Sequence, residues 1–134
     1  MEKISVLLSQ KSPNFHTIGP TEPLDDALHR MANENTDHLI VLGENNCFMG
    51  ILSDHEILAK SLMKKIPVQN LKVRDVLETR FPTAMIGDTV EKCIRLLHQH
   101  KSRFLAVFDN FDFRGILSVD DLLDALLSRK VELS

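Results

Sequence analysis

The chain has few cysteines and no surplus of positive charge. Cys47 and Cys93 are its two cysteines in 134 residues, too few for the disulfide framework of a small secreted protein. We expect both to be reduced core residues. Sixteen Lys and Arg stand against 19 Asp and Glu, for a net charge of −3. This balance argues against nucleic acid or an anionic membrane as a partner.

Long apolar runs and glycine-rich loops are also missing. No segment approaches the roughly 18 apolar residues of a membrane span, and the first residues lack the apolar region and cleavage site of a signal peptide. The five glycines form no phosphate-binding loop. These absences predict a soluble, cytoplasmic protein, and its length is sufficient for a core without disulfides or metals.

What the sequence does contain is an internal repeat. Residues 15–48 match residues 81–114 at an offset of 66, and the apolar positions of the predicted helix face and of the strand that follows it coincide. After a one-residue gap, Gly50-Ile51-Leu52-Ser53 matches Gly115-Ile116-Leu117-Ser118. The sequence therefore predicts two copies of one unit, residues 1–66 and 67–134.

Each copy is predicted to fold as strand, helix, strand, strand, helix. Apolar residues at i, i+3, i+4 and i+7 indicate helices from Leu24 and from Val90. The short apolar runs 39–42 and 104–108 indicate buried strands, and turns lead to further strands at 48–52 and 113–117. The final helices follow Ser53 and Ser118, and their apolar residues are expected to face inward. Residues 4–8 and 73–77 are predicted as helical lead-ins and 64–72 as the linker, which gives an α/β (α+β) class.

The duplicated order β-α-β-β-α, with Gly-apolar-apolar-Ser before each final helix, resembles the tandem CBS-domain pair, or Bateman module. The chain is similar to the stand-alone CBS-pair proteins of bacteria and archaea. The resemblance implies two pseudo-twofold-related repeats packed sheet to sheet, with two clefts between them. It implies a non-catalytic regulatory protein that requires no cofactor. Its expected ligand is adenosine-containing: AMP, ADP, ATP, S-adenosylmethionine or an NAD-type dinucleotide.

The resemblance also implies which residues bind this ligand. In one cleft they are Ser118, Asp120 and Asp121 together with Lys11, Phe15, His16, Thr36 and Asp37. In the other they are Ser53, His55 and Glu56 together with Phe81, Pro82, Ser102 and Arg103.

The chemistry of these residue types suits a nucleotide. A carboxylate such as Asp121 can accept hydrogen bonds from both hydroxyls of a ribose, and a serine at a helix N-terminus suits a phosphate. Asp37 and Asp120 would oppose a polyphosphate, whereas Arg103 favours one. Glu56 takes the place of the usual aspartate and is one methylene longer.

Other interpretations of these residues stay open. The two serines can be helix caps alone, and Asp121 can act only as a helix-terminal charge. His98 and His100 are two apart on a helix and face different ways, which does not favour a metal site. Consecutive Ser53-Asp54-His55 cannot stack into a hydrolytic triad. One rival function is a ligand-free dimerisation scaffold. Another is an enzyme, for which the sequence shows no set of catalytic residues.

The final helices predict self-association. Leu122, Leu123, Leu126 and Leu127 cannot all face inward on one narrow stripe, so some of them are available to a second copy. We expect a homodimer with the helices at 57–63 and 122–127 in the contact. Phe104, Phe108, Phe111 and Phe113 are expected in the core and on the dimer surface.

Overall fold

The computed structural model describes residues 3–10 and 16–133 of the chain. Lys11 and Phe15, both predicted site residues, lie outside this part. The helices are α1 (Ile4–Gln10), α2 (Leu24–Glu34), α3 (Asp54–Lys64), α4 (Val73–Val76), α5 (Val90–His100) and α6 (Val119–Leu133). The strands are β1 (Thr17–Ile18), β2 (His38–Leu42), β3 (Phe48–Ser53), β4 (Thr83–Met85), β5 (Phe104–Asp109) and β6 (Asp112–Ser118).

Each repeat forms its own three-stranded sheet, in the order β1-β2-β3 and β4-β5-β6. In both sheets the first two strands are parallel and the last two are antiparallel. The parallel pairs are joined through α2 and α5, because a parallel connection needs a crossover that a short turn cannot supply. The predicted duplicate of β-α-β-β-α and the α/β class are confirmed.

The crossover helices bury one face each, at the positions that the sequence periodicity predicts. Leu24, Ala27 and Met31 of α2 are buried in a core that also contains apolar side chains of β2 and β3. Val90, Cys93 and Leu97 of α5 take the same places in the other repeat and pack with β5 and β6. The spacing i, i+3 and i+7 places such residues on one side of a helix.

The two short lead-in helices pack against the core of the opposite repeat. Residues 14–79 form one compact unit, and residues 1–13 and 80–134 form the other. The 14–79 unit buries Val73 and Val76 of α4, and the second unit, called the 80–134 unit below, buries Ile4 and Leu7 of α1. Units defined by packing therefore differ from the predicted 1–66 and 67–134, which rest on the sequence repeat and stay a prediction.

The final helices face inward only in part. Ile57 of α3 and Leu122 of α6 are buried, but Leu58 and Leu62 are 68% and 78% exposed and Leu123 is 50% exposed. The expectation that the apolar residues of the final helices face inward is wrong for Leu58, Leu62 and Leu123, because each core can cover only one face of a helix. The expectation that Leu122, Leu123, Leu126 and Leu127 do not all face inward is confirmed. No helix in the described part of the chain combines the length and apolar character needed to cross a membrane.

The two cysteines have opposite environments. Cys93 is buried in α5, as expected, but Cys47 is exposed after the turn between β2 and β3, so its assignment to the core is wrong. Burial raises the pKa of the Cys93 thiol from 9.0 to about 11, and the nearby Asp88 carboxylate acts in the same direction. Cys93 is therefore a protonated, unreactive core residue at neutral pH.

We expect iodoacetamide at pH 8 to alkylate Cys47 in the native protein and Cys93 only after unfolding. Folding raises the pKa of the Cys93 thiol to about 11. Below about pH 9 the thiol is protonated in both the folded and the unfolded protein, so its ionisation does not change the free energy of unfolding there. The free energy of unfolding should then fall as the pH rises toward 11. Mass spectrometry of alkylated peptides and urea titrations at several pH values measure both effects. Equal alkylation of the two native cysteines would contradict this assignment.

Candidate functional site

The topology of the 14–79 unit brings its predicted site residues to one edge of the sheet. β1 and β2 start at this edge and β3 ends there, with His38 paired to Ser53. The carbonyl oxygen of His16 accepts a hydrogen bond from Ile40 N at 2.7 Å, and that of Asp37 accepts from Asp54 N at 3.1 Å. The sheet edge thus carries His16, Thr36, Asp37, Ser53, His55 and Glu56.

The 80–134 unit repeats this arrangement. Phe104 pairs with Ser118 at the corresponding edge, and the carbonyl oxygens of Pro82 and Arg103 accept hydrogen bonds from Ala106 N and Val119 N, both at 3.1 Å. This edge carries Phe81, Pro82, Ser102, Arg103, Ser118, Asp120 and Asp121. The assignment of residues from different repeats to two clefts stays a prediction.

Ser118 and Asp121 cap the start of α6 reciprocally. Asp121 N donates to Ser118 Oγ at 3.1 Å, and Ser118 N donates to Asp121 Oδ2 at 2.8 Å. The two bonds form a capping box, with aspartate at the position more often taken by glutamate. The carboxylate of Asp121, partly buried, is therefore held in a fixed orientation at the helix N-terminus.

Ser53 and Glu56 form only half of this arrangement at the start of α3. Glu56 N donates to Ser53 Oγ at 3.2 Å, but the Glu56 carboxylate lies 3.7 Å from the ammonium of Lys60, one turn further along the helix. Lys60 in turn donates to the Leu77 carbonyl at 2.9 Å. Lys60 was not predicted as part of the site, although its i+4 spacing from Glu56 is a recognisable ion-pair signal.

The hydroxyls of Thr36 and Ser102 close turns. Thr36 Oγ1 donates to the His38 carbonyl at 3.1 Å, and Ser102 Oγ donates to the Phe104 carbonyl at 2.8 Å. Their donor hydrogens are thereby used within the protein, and ligand contacts at these positions would require the hydroxyls to accept or to rotate.

Two of the histidines near the 14–79 edge, His16 and His38, are each paired with an acid. His16 Nδ1 lies 2.8 Å from Glu34 Oε1, and His38 Nδ1 lies 2.9 Å from Asp37 Oδ1. Sequence reasoning missed Glu34 and His38, since Glu34 is 18 residues from His16 and the equivalent position in the second repeat is not acidic. His55 and Asp120 are exposed at their helix starts, Arg103 is exposed at the edge of the 80–134 unit, Phe81 is half-buried and Pro82 is buried.

The alternative metal and hydrolase sites do not assemble. Within residues 3–10 and 16–133, no three His, Cys, Asp or Glu side chains come together as a metal site. His100 Nδ1 lies 2.9 Å from the Leu96 carbonyl, on its own helix. Asp54 Oδ1 accepts from the backbone N–H of His55 at 2.6 Å, which is a helix-start contact rather than the orienting bond of a triad.

Two copies of a β-α-β-β-α unit, each with polar groups gathered at one sheet edge, define a duplicated α/β module. The family model of the CBS domain matches the chain twice, at residues 9–62 and 73–128. These matches cover most of the sequence, so the chain belongs to the CBS-domain family. Proteins built on such pairs are generally regulatory.

Individual relatives share the module in different contexts. The homoserine O-acetyltransferase of Methanococcus vannielii is 26% identical over 130 residues, which are 92% of this chain and 26% of the acetyltransferase. The chain thus spans about a quarter of the length of that protein. A protein with CBS domains from Burkholderia ambifaria, 18% identical, has the same fold, with a TM-score of 0.85 and 95% of each chain covered. CBSX2, solved in complex with AMP, is 27% identical, with a TM-score of 0.80 and coverage of 97% of this chain and 99% of its own.

Proposed function

We propose that this chain is a non-catalytic regulatory module that binds an adenosine-containing ligand at the polar edges of its sheets. The observation that carries the proposal is the fixed carboxylate of Asp121, 2.8 Å from Ser118 N at the start of α6. The AMP complex of CBSX2, which aligns along nearly the whole chain, makes an adenine nucleotide the first ligand to test.

The capping box is compatible with ligand binding. A carboxylate has about four acceptor sites on its two oxygens, so Asp121 can keep its bond to Ser118 N and accept from ribose hydroxyls. Because the side chain is already oriented, less conformational entropy is lost when the ligand binds. Arg103, which the sequence prediction assigns to the other cleft, supplies a cation for a phosphate bound there, since a guanidinium can bind a phosphate through two parallel hydrogen bonds.

A thermal-shift scan with AMP, ATP, NAD and S-adenosylmethionine tests this function. At a hundredfold excess over Kd, the bound ligand should raise the free energy of unfolding by about 2.7 kcal/mol, and the Tm should rise by several degrees. 2′-Deoxy-AMP is the matched control ligand, because it lacks one of the two ribose hydroxyls that Asp121 is proposed to bind.

The shift with 2′-deoxy-AMP should be clearly smaller than the shift with AMP at equal concentration. No shift with any of the four ligands would favour the alternative function, a ligand-free dimerisation scaffold.

Exposed apolar side chains on the final helices support an assembly in either case: Leu58, Leu62 and Met63 on α3 are 68%, 78% and 82% exposed, and Leu123 and Leu127 on α6 are 50% and 59% exposed. A homodimer with α3 and α6 in the contact is therefore part of the proposal.

A further inference from the structure

The turn between β5 and β6 presents a phenylalanine to solvent. Phe111 is 99% exposed in a two-residue connection between Asp109 and Asp112, which pair across the hairpin. The preceding Asn110 has a φ of 56°, a conformation that asparagine tolerates in tight turns. The turn of the first repeat contains Glu44–Asn46 and no aromatic residue, so the fold of the hairpin does not require one.

The tip that carries Phe111 is acidic. Asp109 is offset by Arg114, whose guanidinium lies 3.7 Å from its carboxylate, and the exposed Asp112 carries the net charge of the tip. The tight hairpin turn restricts the backbone of Phe111 and Asp112, so little conformational entropy is lost when their side chains bind a partner.

The same unit contains a groove of complementary character between α5 and α6. Its volume is about 420 Å³, and its walls are mainly apolar. The apolar lining residues are Ile94, Leu97, Val119, Leu122, Leu123 and Leu126. His98, Lys101 and Ser102, the last of them a predicted nucleotide-binding residue, line it as well. The position equivalent to Lys101 in the first repeat is Asn35, so the lysine beside the groove, like the exposed aromatic tip, belongs to the second repeat alone.

We propose that Phe111 of one copy inserts into the α5–α6 groove of a second copy, with Asp112 beside Lys101. An aromatic side chain can bury roughly 150–250 Å² in such a contact, and the acidic tip matches the ammonium of Lys101 in the groove. Phe111 lies just after the end of β5, and Lys101 lies just before its start. The two residues are therefore at opposite ends of a strand about 20 Å long. Two 80–134 units lying antiparallel can therefore make both contacts at once, which closes a twofold dimer.

This inference deepens the proposed homodimer and depends on it. It brings α6 into the contact, through Leu122, Leu123 and Leu126 of the groove. Among the phenylalanines in the described residues, it also identifies a use for the one whose side chain is almost fully exposed.

Sedimentation equilibrium of the full chain without nucleotide tests the contact. We expect Phe111→Ser to raise the dimer Kd about thirtyfold or more, as for a central aromatic anchor. The side chain is 99% exposed in the single copy, so circular dichroism should be unchanged, and the Tm should match that of the wild type at concentrations where both are monomeric. Glu44→Ser, in the corresponding turn of the first repeat, is the matched control and should dimerise as the wild type does.

A charge swap distinguishes this contact from any other dimer. Lys101→Glu and Asp112→Lys should each weaken the dimer about threefold to tenfold, and the two together in one chain should restore much of the affinity. A wild-type Kd in Phe111→Ser, or a double variant no tighter than its single variants, would overturn the inference and leave the homodimer in place. A wild-type monomer would overturn both, whereas the nucleotide-binding function is tested separately by the thermal-shift scan.

Discussion

Asparagine in place of Asp121 is expected to weaken the binding of AMP about tenfold while the protein remains folded. Asparagine keeps an oxygen that can accept the hydrogen bond from Ser118 N, now 2.8 Å from Asp121 Oδ2, so the cap of α6 is retained. It loses the charge that strengthens hydrogen bonds from the ribose hydroxyls. Charged hydrogen bonds exceed neutral ones by about 1 kcal/mol or more each, and about 1.4 kcal/mol corresponds to a factor of ten in Kd.

Two further variants separate the cap from the binding site. Asp121→Ala removes both, so it should weaken binding at least as much and also lower the free energy of unfolding by about 1 kcal/mol. Glu56→Ala is the matched control in the first repeat, where the carboxylate faces Lys60 at 3.7 Å rather than the helix start. Its effect on AMP binding should be smaller. If titration calorimetry gave the same Kd for Asp121→Asn and the wild type, Asp121 would be a structural cap only.

Alanine at Gly50 is expected to lower the free energy of unfolding by about 3 kcal/mol, the upper part of the range for overpacking a core. A Cβ atom there would collide with the Glu78 carbonyl oxygen and with a methyl group of Leu77. The Glu78 backbone cannot move aside freely, because its carbonyl accepts from Ile51 N at 3.0 Å and its N–H donates to the Ile51 carbonyl at 2.8 Å. Relief of the collision would break this bridge and shift the chain that follows α4.

Gly87→Ala is the control for this substitution. No atom lies within 4 Å of a Cβ built at Gly87, and its stability should change by less than about 0.5 kcal/mol. Urea titrations of the two variants measure the difference between their free energies of unfolding, and equal m-values show that the two titrations can be compared. Gly50→Ala with wild-type stability would mean that the Ile51–Glu78 bridge yields at little cost.

Local patterns in the sequence were sufficient to locate most helices and strands. The i, i+3 and i+7 spacing of Val90, Cys93 and Leu97 predicted the buried face of α5, because a helix can cover a core with one stripe only. The same patterns could not show that Cys47 is exposed, or that Leu58 and Leu62 are. Whether an apolar residue on a helix or in a turn is buried depends on which other element packs against it, and the local sequence pattern does not contain that information.

In each unit the predicted site residues that the structure describes lie at one edge of the sheet, since strand order fixes where strand ends meet; their role in binding stays a prediction. Their partners were less accessible to sequence reasoning. The His16–Glu34 pair at 2.8 Å joins residues 18 positions apart, which no local spacing indicates. The different orientations of Asp121 and Glu56 likewise depend on their neighbours: Lys60 draws Glu56 along α3, and no cation occupies the equivalent position, Ala125, on α6.

The sequence by itself determined the repeat, the order of elements within it and the polar groups at the ends of its strands, because these follow from short-range periodicity and from residue type. Only the tertiary structure decided which segments complete each core, with α4 packed in the 14–79 unit and α1 in the 80–134 unit. It also gave equivalent glycines different roles. Gly50 is required by the close approach of Glu78, whereas Gly115 has a φ of 148°, which L-residues rarely adopt. Both reasons depend on where distant parts of the chain meet or how the backbone bends to reach them, and neither is encoded in the Gly-Ile-Leu-Ser sequence that the two repeats share.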